Sequence, residues 1–552
     1  MWCRIFMGFW VLVLLASCGS NSGYVYLKES EYCTGYNVFT DAALLGHYAR
    51  KSSEYVSIRK SSLDRFAKDL EIEIHEKDIE DPQNLDLCPR AEYIKNTYNK
   101  TQKDSYSDKE FYSSALSFFL AELDIHSYYI GESSKKEYEN ERDRVAKTAG
   151  FIYQFQNHVL SRAHGMTPLT VDFVLENSNS YMKIFSDDRI TGLEHQSIEG
   201  MESEAFWKKY QSLDRVTFDI VSSLDQSTST VEIEKEELRL PSAYVRRMNK
   251  DSNIVLLRIL SFNRYTIEDI LSHQDLLEEA SAIILDLRGN PGGTVLGMCD
   301  VAGLFLEEGP CITLASNMAK IREVDQRSER YNGFLDVIQA SMASTEFSLD
   351  SSRNEGIFLD APLVTIVDFG SASASESLAM VLEQYDRTII VGSVSFGKGI
   401  SQVVLDMQKY NNLYRGYMAY TSNLVQSHKG KVYQGDTIRR HILFDNLPVE
   451  KASKKIEEET GDIVGRREIE STHRGYVIQG KKENLQSKDT QDDPKEIAET
   501  MQHFSQNKVK SSLDGFCEDH KLETCYLKWA ESVATFLAQK WPSWPHVGGL
   551  ET

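Results

Sequence analysis

Three short apolar runs between residues 281 and 392 alternate with two segments of helical periodicity. The runs SAIILDLRG, APLVTIVDFG and RTIIVG have the length and composition of buried strands. Helical spacing of apolar residues marks the two segments that separate them, TVLGMCDVAGLFLEEG and SESLAMVLEQYD. Strand–helix–strand order with short connections predicts a partly parallel sheet with crossover helices.

The remainder of the chain predicts further domains around this sheet. A length of 552 residues exceeds the usual size of one domain and suggests three or four. We expect a mixed α+β, multi-domain protein whose core contains β–α–β units. The expected divisions are a signal segment (1–17), a helical amino-terminal region (18–160), a β-rich domain (161–242), the core (243–452), and a charged linker with a helical carboxy-terminal tail (453–552).

The composition is that of a soluble, acidic protein. Apolar residues make up 41% of the chain and charged residues 26%, and the formal net charge is −22. Affinity for nucleic acid comes mainly from lysine and arginine on phosphates, so an acidic chain is a poor candidate for that class of partner. We therefore expect no nucleic-acid partner.

The first residues, MWCRIFMGFWVLVLLASCGSNSG, have the organisation of a secretory signal. Arg4 precedes an apolar run, Ile5–Leu15, that is too short to span a bilayer as a mature helix. The end of the run, Leu-Ala-Ser-Cys, resembles the lipobox of bacterial lipoproteins and implies cleavage before Cys18 and acylation of its thiol. The alternative is an ordinary signal peptide with an incidental cysteine. Gly19, in place of an aspartate, favours an outer-membrane anchor that faces the periplasm.

Six further cysteines follow the expected acylation site: Cys33, Cys88, Cys299, Cys311, Cys517 and Cys525. An even number in an oxidising compartment suggests disulfides. Pairing of sequence neighbours would give Cys33–Cys88, Cys299–Cys311 and Cys517–Cys525, and buried free thiols are the alternative. Because none of the six has the spacing to histidine that zinc sites use, we expect no metal site.

Lys398 lies in VGSVSFGKGISQVVLDM, which begins like a phosphate-binding loop. Such a loop requires serine or threonine after the lysine and then a helix, whereas Gly399 follows here and ISQVVLDM has the pattern of a strand. Flanking apolar strands favour burial of the lysine. A buried lysine without an acidic partner has a lowered pKa and can act as a general base beside a hydroxyl.

Two small-residue segments precede this lysine. DFGSASASESLAMV alternates serine with alanine at Ser371, Ser373 and Ser375, which by period alone favours a strand but equally fits a close-packed turn. DLRGNPGG is a glycine-rich turn after a buried strand. Its backbone N–H groups could bind a developing oxyanion, or the turn could serve chain topology alone.

Three stretches in the same order resemble the C-terminal processing peptidases, also called tail-specific serine proteases: LAELDIHSYYI, AIILDLRGNPGGTVLGMCDVAGLFL and PLVTIVDFGSASASESLAMVLEQYDRTIIVGSVSFGKGISQ. The resemblance is strong between residues 250 and 405. It implies that Ser373 is the nucleophile and that Lys398, 25 residues later, is its general base. It also implies that Gln402 orients the lysine, and that Gly293 and Ala374 supply oxyanion N–H groups.

Several neighbouring residues are interpreted as structural. Ser371 is expected in the turn, and Ser375 is expected to cap the following helix. Asp286 and Arg288 match the family and are interpreted as structural. His126 is also interpreted as structural, because a Ser–Lys enzyme requires no histidine.

Residues 161–242 resemble the PDZ-like domain of the same family, through SDDRITGLEHQSIEGMESEAFWKKY and ELRLPSAYV. Such domains bind peptide C-termini by strand addition and carboxylate capture. A glycine-rich carboxylate loop is not evident in TPLTVDFVLENSNSY. The domain could therefore bind peptide, or act as a gate or spacer.

The function implied by the resemblance is that of a serine endopeptidase acting on the C-terminal region of exported or unfolded proteins through an acyl-enzyme. Its expected partners are protein or peptide substrates and, through the lipid anchor, a membrane; no cofactor is expected. The alternative is a non-catalytic peptide- or ligand-binding protein on the same fold. Retention of Ser373, Lys398 and Gln402 argues against that alternative.

Overall fold

The computed structural model describes residues 31–47, 55–75, 79, 87–102, 105–154, 165–248, 252–315, 345–348, 356–409, 411–435, 438, 441–443, 499–500, 502–504 and 522–541. The predicted signal segment, Cys18 and most of the predicted charged linker lie outside these residues. Within the described ranges, no helix has both the length and the apolar character needed to cross a bilayer.

Helices and strands alternate along the described chain. The α-helices are α1 (Glu31–Gly46), α2 (Tyr55–Asp69), α3 (Cys88–Thr101), α4 (Asp108–Leu123), α5 (Lys135–Arg142), α6 (Ser203–Ser212), α7 (Thr266–Leu271), α8 (Gln274–Glu278), α9 (Val295–Phe305), α10 (Ala374–Gln384) and α11 (Leu522–Lys540). The β-strands are β1 (Tyr128–Ile130), β2 (Val145–Thr148), β3 (Phe151–Tyr153), β4 (Leu169–Val174), β5 (Arg189–Leu193), β6 (Gln196–Ser197), β7 (Arg215–Val221), β8 (Thr228–Glu234), β9 (Glu236–Arg239), β10 (Ala243–Arg247), β11 (Ile254–Ile259), β12 (Ala282–Asp286), β13 (Pro310–Ala315), β14 (Thr345–Ser348), β15 (Leu363–Val367), β16 (Thr388–Gly392), β17 (Ile400–Asp406), β18 (Tyr417–Ser427) and β19 (Ile442–Leu443).

The chain divides into two compact units, of which the smaller comprises residues 1–40 and 56–119. Its described part is helical, and its interior is rich in aromatic side chains. The rings of Phe66 and Phe111 lie 5.6 Å apart. A disulfide joins Cys33 to Cys88 and so ties α1 to the start of α3.

The larger unit, residues 41–55 and 120–552, contains the region that was expected to be a β-rich domain. Its sheet has the strand order β3–β4–β5–β7–β8, with β6 paired to β5. Alternate residues of β7 are buried, as expected for a strand with one face on a core. The sheet begins at β3, upstream of the expected boundary at residue 161. Arg246 in β10 forms an ion pair with the buried Asp172 in β4 at 2.7 Å, so a partly buried charge pair joins this region to the core sheet.

The core of the larger unit is a six-stranded sheet with the order β10–β11–β12–β15–β16–β19. The β10–β11 pair is antiparallel, and the following pairs are parallel. This confirms the partly parallel sheet predicted from the alternating runs. Strands β12, β15 and β16 are buried along their whole length, because helices cover both faces.

Each face of the core sheet has its own hydrophobic layer. Helices α9 and α10 pack on one face, with Leu285 and Leu378 among the buried side chains. On the other face, α11 packs through Trp529 and Val533. The predicted helical tail is therefore part of the core, and its removal would expose apolar strand residues to water.

A second sheet has the order β1–β18–β13–β14, with β17 paired to β18. In the chain, β1 precedes the core strands, and the other four strands lie between core strands. A disulfide between Cys299 and Cys311 ties α9 to β13. Two of the three expected disulfides are thus present. Cys525 is also disulfide-bonded, and its expected partner Cys517 lies outside the described residues.

Candidate active site

Ser373 lies at the turn between β15 and α10. Its backbone has φ 56° and ψ −117°, a conformation that a residue with a side chain rarely adopts. The serine–alanine alternation is therefore a strand end, a turn and a helix start rather than a strand. This turn places a half-buried hydroxyl at the N-terminus of a helix, beside the carboxyl end of a parallel strand.

The other two serines of the alternation have structural roles. Ser371 Oγ donates a hydrogen bond to the carbonyl of Leu287 at 2.8 Å. Ser375 Oγ donates to the carbonyl of Asn290 at 2.9 Å. The expectation that Ser375 caps α10 is wrong, because Ser373 itself occupies the N-cap position. Both outer serines instead join the Ser373 turn to the glycine-rich turn after β12.

The glycine-rich turn approaches Ser373 closely. A Cβ atom on Gly292, which has φ 104°, would lie 2.8 Å from Ser373 Cβ and 2.9 Å from the nitrogen of Ala374. The neighbouring Gly293 has φ 145°, and a Cβ there would lie 2.0 Å from the carbonyl oxygen of Phe262. In the described part of the chain, the N–H groups of Gly293 and Ala374 donate no hydrogen bond. Both remain available for an oxyanion, which is the role that the resemblance implies for them.

Glu376 links the Ser373 turn to the loop that carries Lys398. Its Oε2 accepts hydrogen bonds from the backbone N–H of Ser373 at 3.0 Å and of Lys398 at 2.9 Å. Its Oε1 accepts from the N–H of Gly397 at 2.6 Å. Burial raises the pKa of this carboxyl to about 7, although the hydroxyl of Ser395 and the three N–H groups act in the opposite direction.

Our sequence reasoning did not single out Glu376. The signal was present, because Ser373 and Glu376 have the S-x-x-E spacing of a capping box before an apolar helical segment. In that motif the glutamate accepts from the N-cap N–H, as Glu376 does here.

Lys398 is partly buried and makes one side-chain hydrogen bond, from Nζ to Oε1 of Gln402 at 2.9 Å. Burial lowers the pKa of the lysine, and the negative charges of Asp124 and Glu376 oppose that shift. Among the described residues, no carboxylate forms an ion pair with Lys398. The segment after it forms β17 as expected, so the helix N-terminus that a phosphate-binding loop requires does not follow.

Gln402 is connected to an acidic residue from a distant part of the chain. It lies directly opposite Thr421 in the antiparallel pair β17–β18, and its Nε2 is 3.5 Å from Thr421 Oγ1. Thr421 Oγ1 in turn donates to Oδ1 of Asp124 at 3.1 Å. Oδ2 of Asp124 accepts from Nε2 of His47 at 2.8 Å. Nothing in the local sequence identifies His47, which is 77 residues from its partner.

Of the residues expected to be structural, Asp286 and Arg288 pair with one another, whereas His126 contacts Asp124 of this constellation through its backbone. Asp286, the last residue of β12, accepts from Nε and Nη2 of Arg288 at 2.8 and 2.7 Å. Burial alone would raise the pKa of Asp286, but the charges of Arg288 and Arg258 lower it to about 2. His126 contributes its backbone N–H to Asp124 at 2.7 Å.

Comparison with known proteins identifies the part of the chain that carries this site. Residues 253–444 match the family model of peptidase family S41. The chain contains a peptidase S41 domain. Ser373, Lys398 and Gln402 all fall inside the matched segment, and the resemblance to C-terminal processing peptidases is confirmed.

Curated relatives of this chain include a tail-specific protease of Haemophilus influenzae, 24% identical over 52% of this chain and 38% of that protein. A carboxy-terminal processing protease of Bacillus subtilis, CtpA, is 30% identical over 30% of each chain. The chain thus spans about a third of the length of these relatives. A solved photosystem II D1 C-terminal processing protease is 16% identical with a TM-score of 0.34, over 70% of this chain and 93% of that one.

Proposed function

We propose that this chain is a serine endopeptidase that uses Ser373 and Lys398. The observation that carries the proposal is that the backbone N–H groups of both residues donate to the same atom, Glu376 Oε2, which holds the two residues next to one another. Ser373 also has the strained turn geometry common at nucleophiles. Lys398 has a lowered pKa and no ion-pair partner among the described residues, which favours the neutral amine.

The chemistry follows from these positions. Ser373 Oγ attacks the substrate carbonyl while neutral Lys398 Nζ takes its proton, and the N–H groups of Gly293 and Ala374 stabilise the oxyanion. Collapse breaks the peptide bond, Lys398 gives the proton to the leaving amine, and an acyl-enzyme ester forms on Ser373. Water, activated by the same amine, hydrolyses the ester and regenerates both groups. Gln402 holds Nζ through its Oε1 during each transfer.

The proposed substrates are the C-terminal regions of exported or unfolded proteins. Support comes from the names of two relatives, one tail-specific and one carboxy-terminal processing. We further propose that Cys18 is acylated and anchors the enzyme to a membrane, facing the periplasm, since it closes a lipobox-like sequence. Replacement of Cys18 by alanine should then move the protein from the membrane fraction to the soluble fraction.

The test of the proposed activity uses an unstructured protein with a detectable C-terminal tag. Wild type should remove the tag, whereas Ser373→Ala and Lys398→Ala should not. Lys409→Ala, at an exposed position just after β17, serves as the matched lysine control and should cleave like wild type. Equal cleavage by Ser373→Ala and wild type would refute the assignment. Peptide binding without cleavage by wild type would favour the non-catalytic alternative.

A further inference from the structure

A continuous chain of polar contacts leads from Lys398 to a buried acid–histidine pair. Nζ of Lys398 donates to Oε1 of Gln402 at 2.9 Å, and Nε2 of Gln402 faces Thr421 Oγ1 at 3.5 Å. Thr421 Oγ1 donates to Asp124 at 3.1 Å, and His47 donates to the other oxygen of that carboxylate at 2.8 Å. The side chain of His47 is 2% exposed and that of Asp124 13%, so both are largely withdrawn from water.

Backbone structure fixes the members of this chain. Gln402 and Thr421 are register partners in β17–β18, and β1 pairs with β18 directly beside them, with Tyr128 opposite Ala419. Asp124 precedes β1 and is held by the N–H of His126 at 2.7 Å and by Ser127 Oγ at 2.9 Å. Ser127 Oγ also accepts from the N–H of Thr421 at 3.2 Å.

We propose that Asp124 and His47 form a positioning pair that sets the orientation of Gln402 towards Lys398 through the hydroxyl of Thr421. This proposal rests on the proposed peptidase function and extends its site by three residues. Asp124, His47 and Thr421 do not need to contact substrate. Their role is to position the proposed base, not to react.

The direction of each hydrogen bond supports this role. An ionised carboxylate only accepts, so Thr421 must direct its hydroxyl proton to Asp124 and present a lone pair to Gln402. Gln402 must then direct its NH₂ group to Thr421 and its carbonyl oxygen to Lys398. The reversed amide would direct N–H groups at the amine and remove its only side-chain acceptor in the described chain.

The carboxylate also acts on Lys398 through its charge. Burial alone would raise the pKa of Asp124. The hydrogen bond and charge of His47 act in the opposite direction, as do the N–H of His126 and the hydroxyl of Ser127. Together they lower the pKa to about 2. Asp124 is therefore ionised at neutral pH. The ionisable groups whose charges act on Lys398 are Asp124 and Glu376, and both favour its protonated form.

Two substitutions distinguish the orientation of Gln402 from the effect of the Asp124 charge on Lys398. Thr421→Val removes the hydroxyl that links Gln402 to Asp124 and keeps the side-chain shape. Asp124→Asn removes the charge and retains an acceptor, because the N–H of His126 cannot reverse and requires an oxygen at the Oδ1 position. The new NH₂ group then faces Ser127 and His47, both of which can become acceptors. Thr365→Val, which removes a buried hydroxyl bonded to Thr388 in the core sheet, is the matched control.

The expected results differ between the variants. Thr421→Val should lower kcat about tenfold and leave KM within twofold of wild type. A tenfold loss is smaller than the full rate contribution of a general base, because Lys398 is still present. Thr365→Val should lose similar thermal stability but keep wild-type kcat. Asp124→Asn should move the acid limb of the pH profile of kcat/KM to lower pH by about one unit, since Lys398 loses a neighbouring negative charge.

A second measurement does not depend on peptidase activity. Acetic anhydride acylates neutral amines, so the pH dependence of Lys398 labelling in Ser373→Ala protein, measured by peptide mass spectrometry, reports the neutral fraction of the lysine. Asp124→Asn in that background should shift the midpoint to lower pH. A kcat in Thr421→Val equal to that of Thr365→Val would overturn the positioning role. An unchanged midpoint in Asp124→Asn would contradict the effect of the Asp124 charge on Lys398. Failure of the peptidase proposal itself would appear separately, as equal cleavage by Ser373→Ala and wild type.

Discussion

Ser373 and Lys398 donate their backbone N–H groups to the same atom, Oε2 of Glu376. The proposed nucleophile and the proposed base are thereby joined through a carboxylate that belongs to the first turn of α10. Because the second oxygen of Glu376 accepts from Gly397, the loop before Lys398 is held at two successive residues. In the proposed mechanism, the relative positions of Ser373 and Lys398 therefore depend on Glu376, a residue that takes no part in the reaction itself.

Replacement of Glu376 by glutamine tests this dependence. An amide can accept on one side only, so its NH₂ group would face backbone donors that cannot reverse. We expect kcat/KM on an unstructured substrate to fall about 100-fold, within the range that general-base misplacement costs. Glu383→Gln, at the other end of α10, is the control and should stay within twofold of wild type. Equal activity of the two variants would contradict the role of Glu376.

The raised pKa of Glu376 predicts a specific pH dependence of stability. With a folded-state pKa of about 7 against 4.5 for the ordinary group, the folded protein binds the extra proton between these values. The associated stability is complete below pH 4.5 and is lost as pH rises through 7, by about 3 kcal/mol. Urea unfolding at pH 4 and pH 8 should show this loss in wild type relative to Glu376→Gln. Parallel pH profiles for the two proteins would show that the carboxyl does not titrate in this range.

The lowered pKa of Lys398 predicts that a cation of similar length cannot replace it. A guanidinium stays protonated at any working pH, so Lys398→Arg should lose at least about 100-fold in kcat/KM. Wild type should show an acid limb in kcat/KM below the ordinary lysine value of 10.5. Lys409→Arg should retain the wild-type profile. Substantial activity of Lys398→Arg would argue for a different base.

Close approach of the glycine-rich turn to Ser373 predicts a steric effect of one methyl group. Gly292→Ala should reduce kcat and lower Tm, because the new Cβ would lie 2.8 Å from Ser373 Cβ and the backbone has positive φ. Gly430→Ala is the matched control: it also has positive φ, at 75°, but a Cβ there meets nothing within 4 Å. The control should lose stability alone. Loss of kcat in both variants to the same extent would exclude a local effect on Ser373.

The sequence predicted the parts of this structure that depend on local pattern. Apolar runs predicted β12, β15 and β16, since a strand buried on both faces has few polar residues. The family resemblance predicted Ser373, Lys398 and Gln402, which the structure places in one region through Glu376 and through a direct hydrogen bond.

The parts that could not be predicted depend on contacts between distant segments. Asp124 meets Thr421 only because β1 pairs with β18, nearly 300 residues later, and no local pattern encodes that pairing. The assignment of Ser375 as helix cap failed because a glutamate at the third helical position favours a cap one residue earlier than Ala374. The sequence did not predict that α11 covers the core sheet, because a charged segment separates this helix from the strands in the chain.

The most direct test of the central claim is the detection of an acyl group on Ser373. Wild-type protein mixed with a peptide ester and quenched in acid within milliseconds should carry the acyl mass on the tryptic peptide that contains Ser373. The same experiment with Ser373→Ala should show no adduct, and Lys398→Ala should show a strongly slowed one. Substrate turnover by wild type without an adduct, or an adduct on another residue, would contradict the assignment of Ser373 as nucleophile.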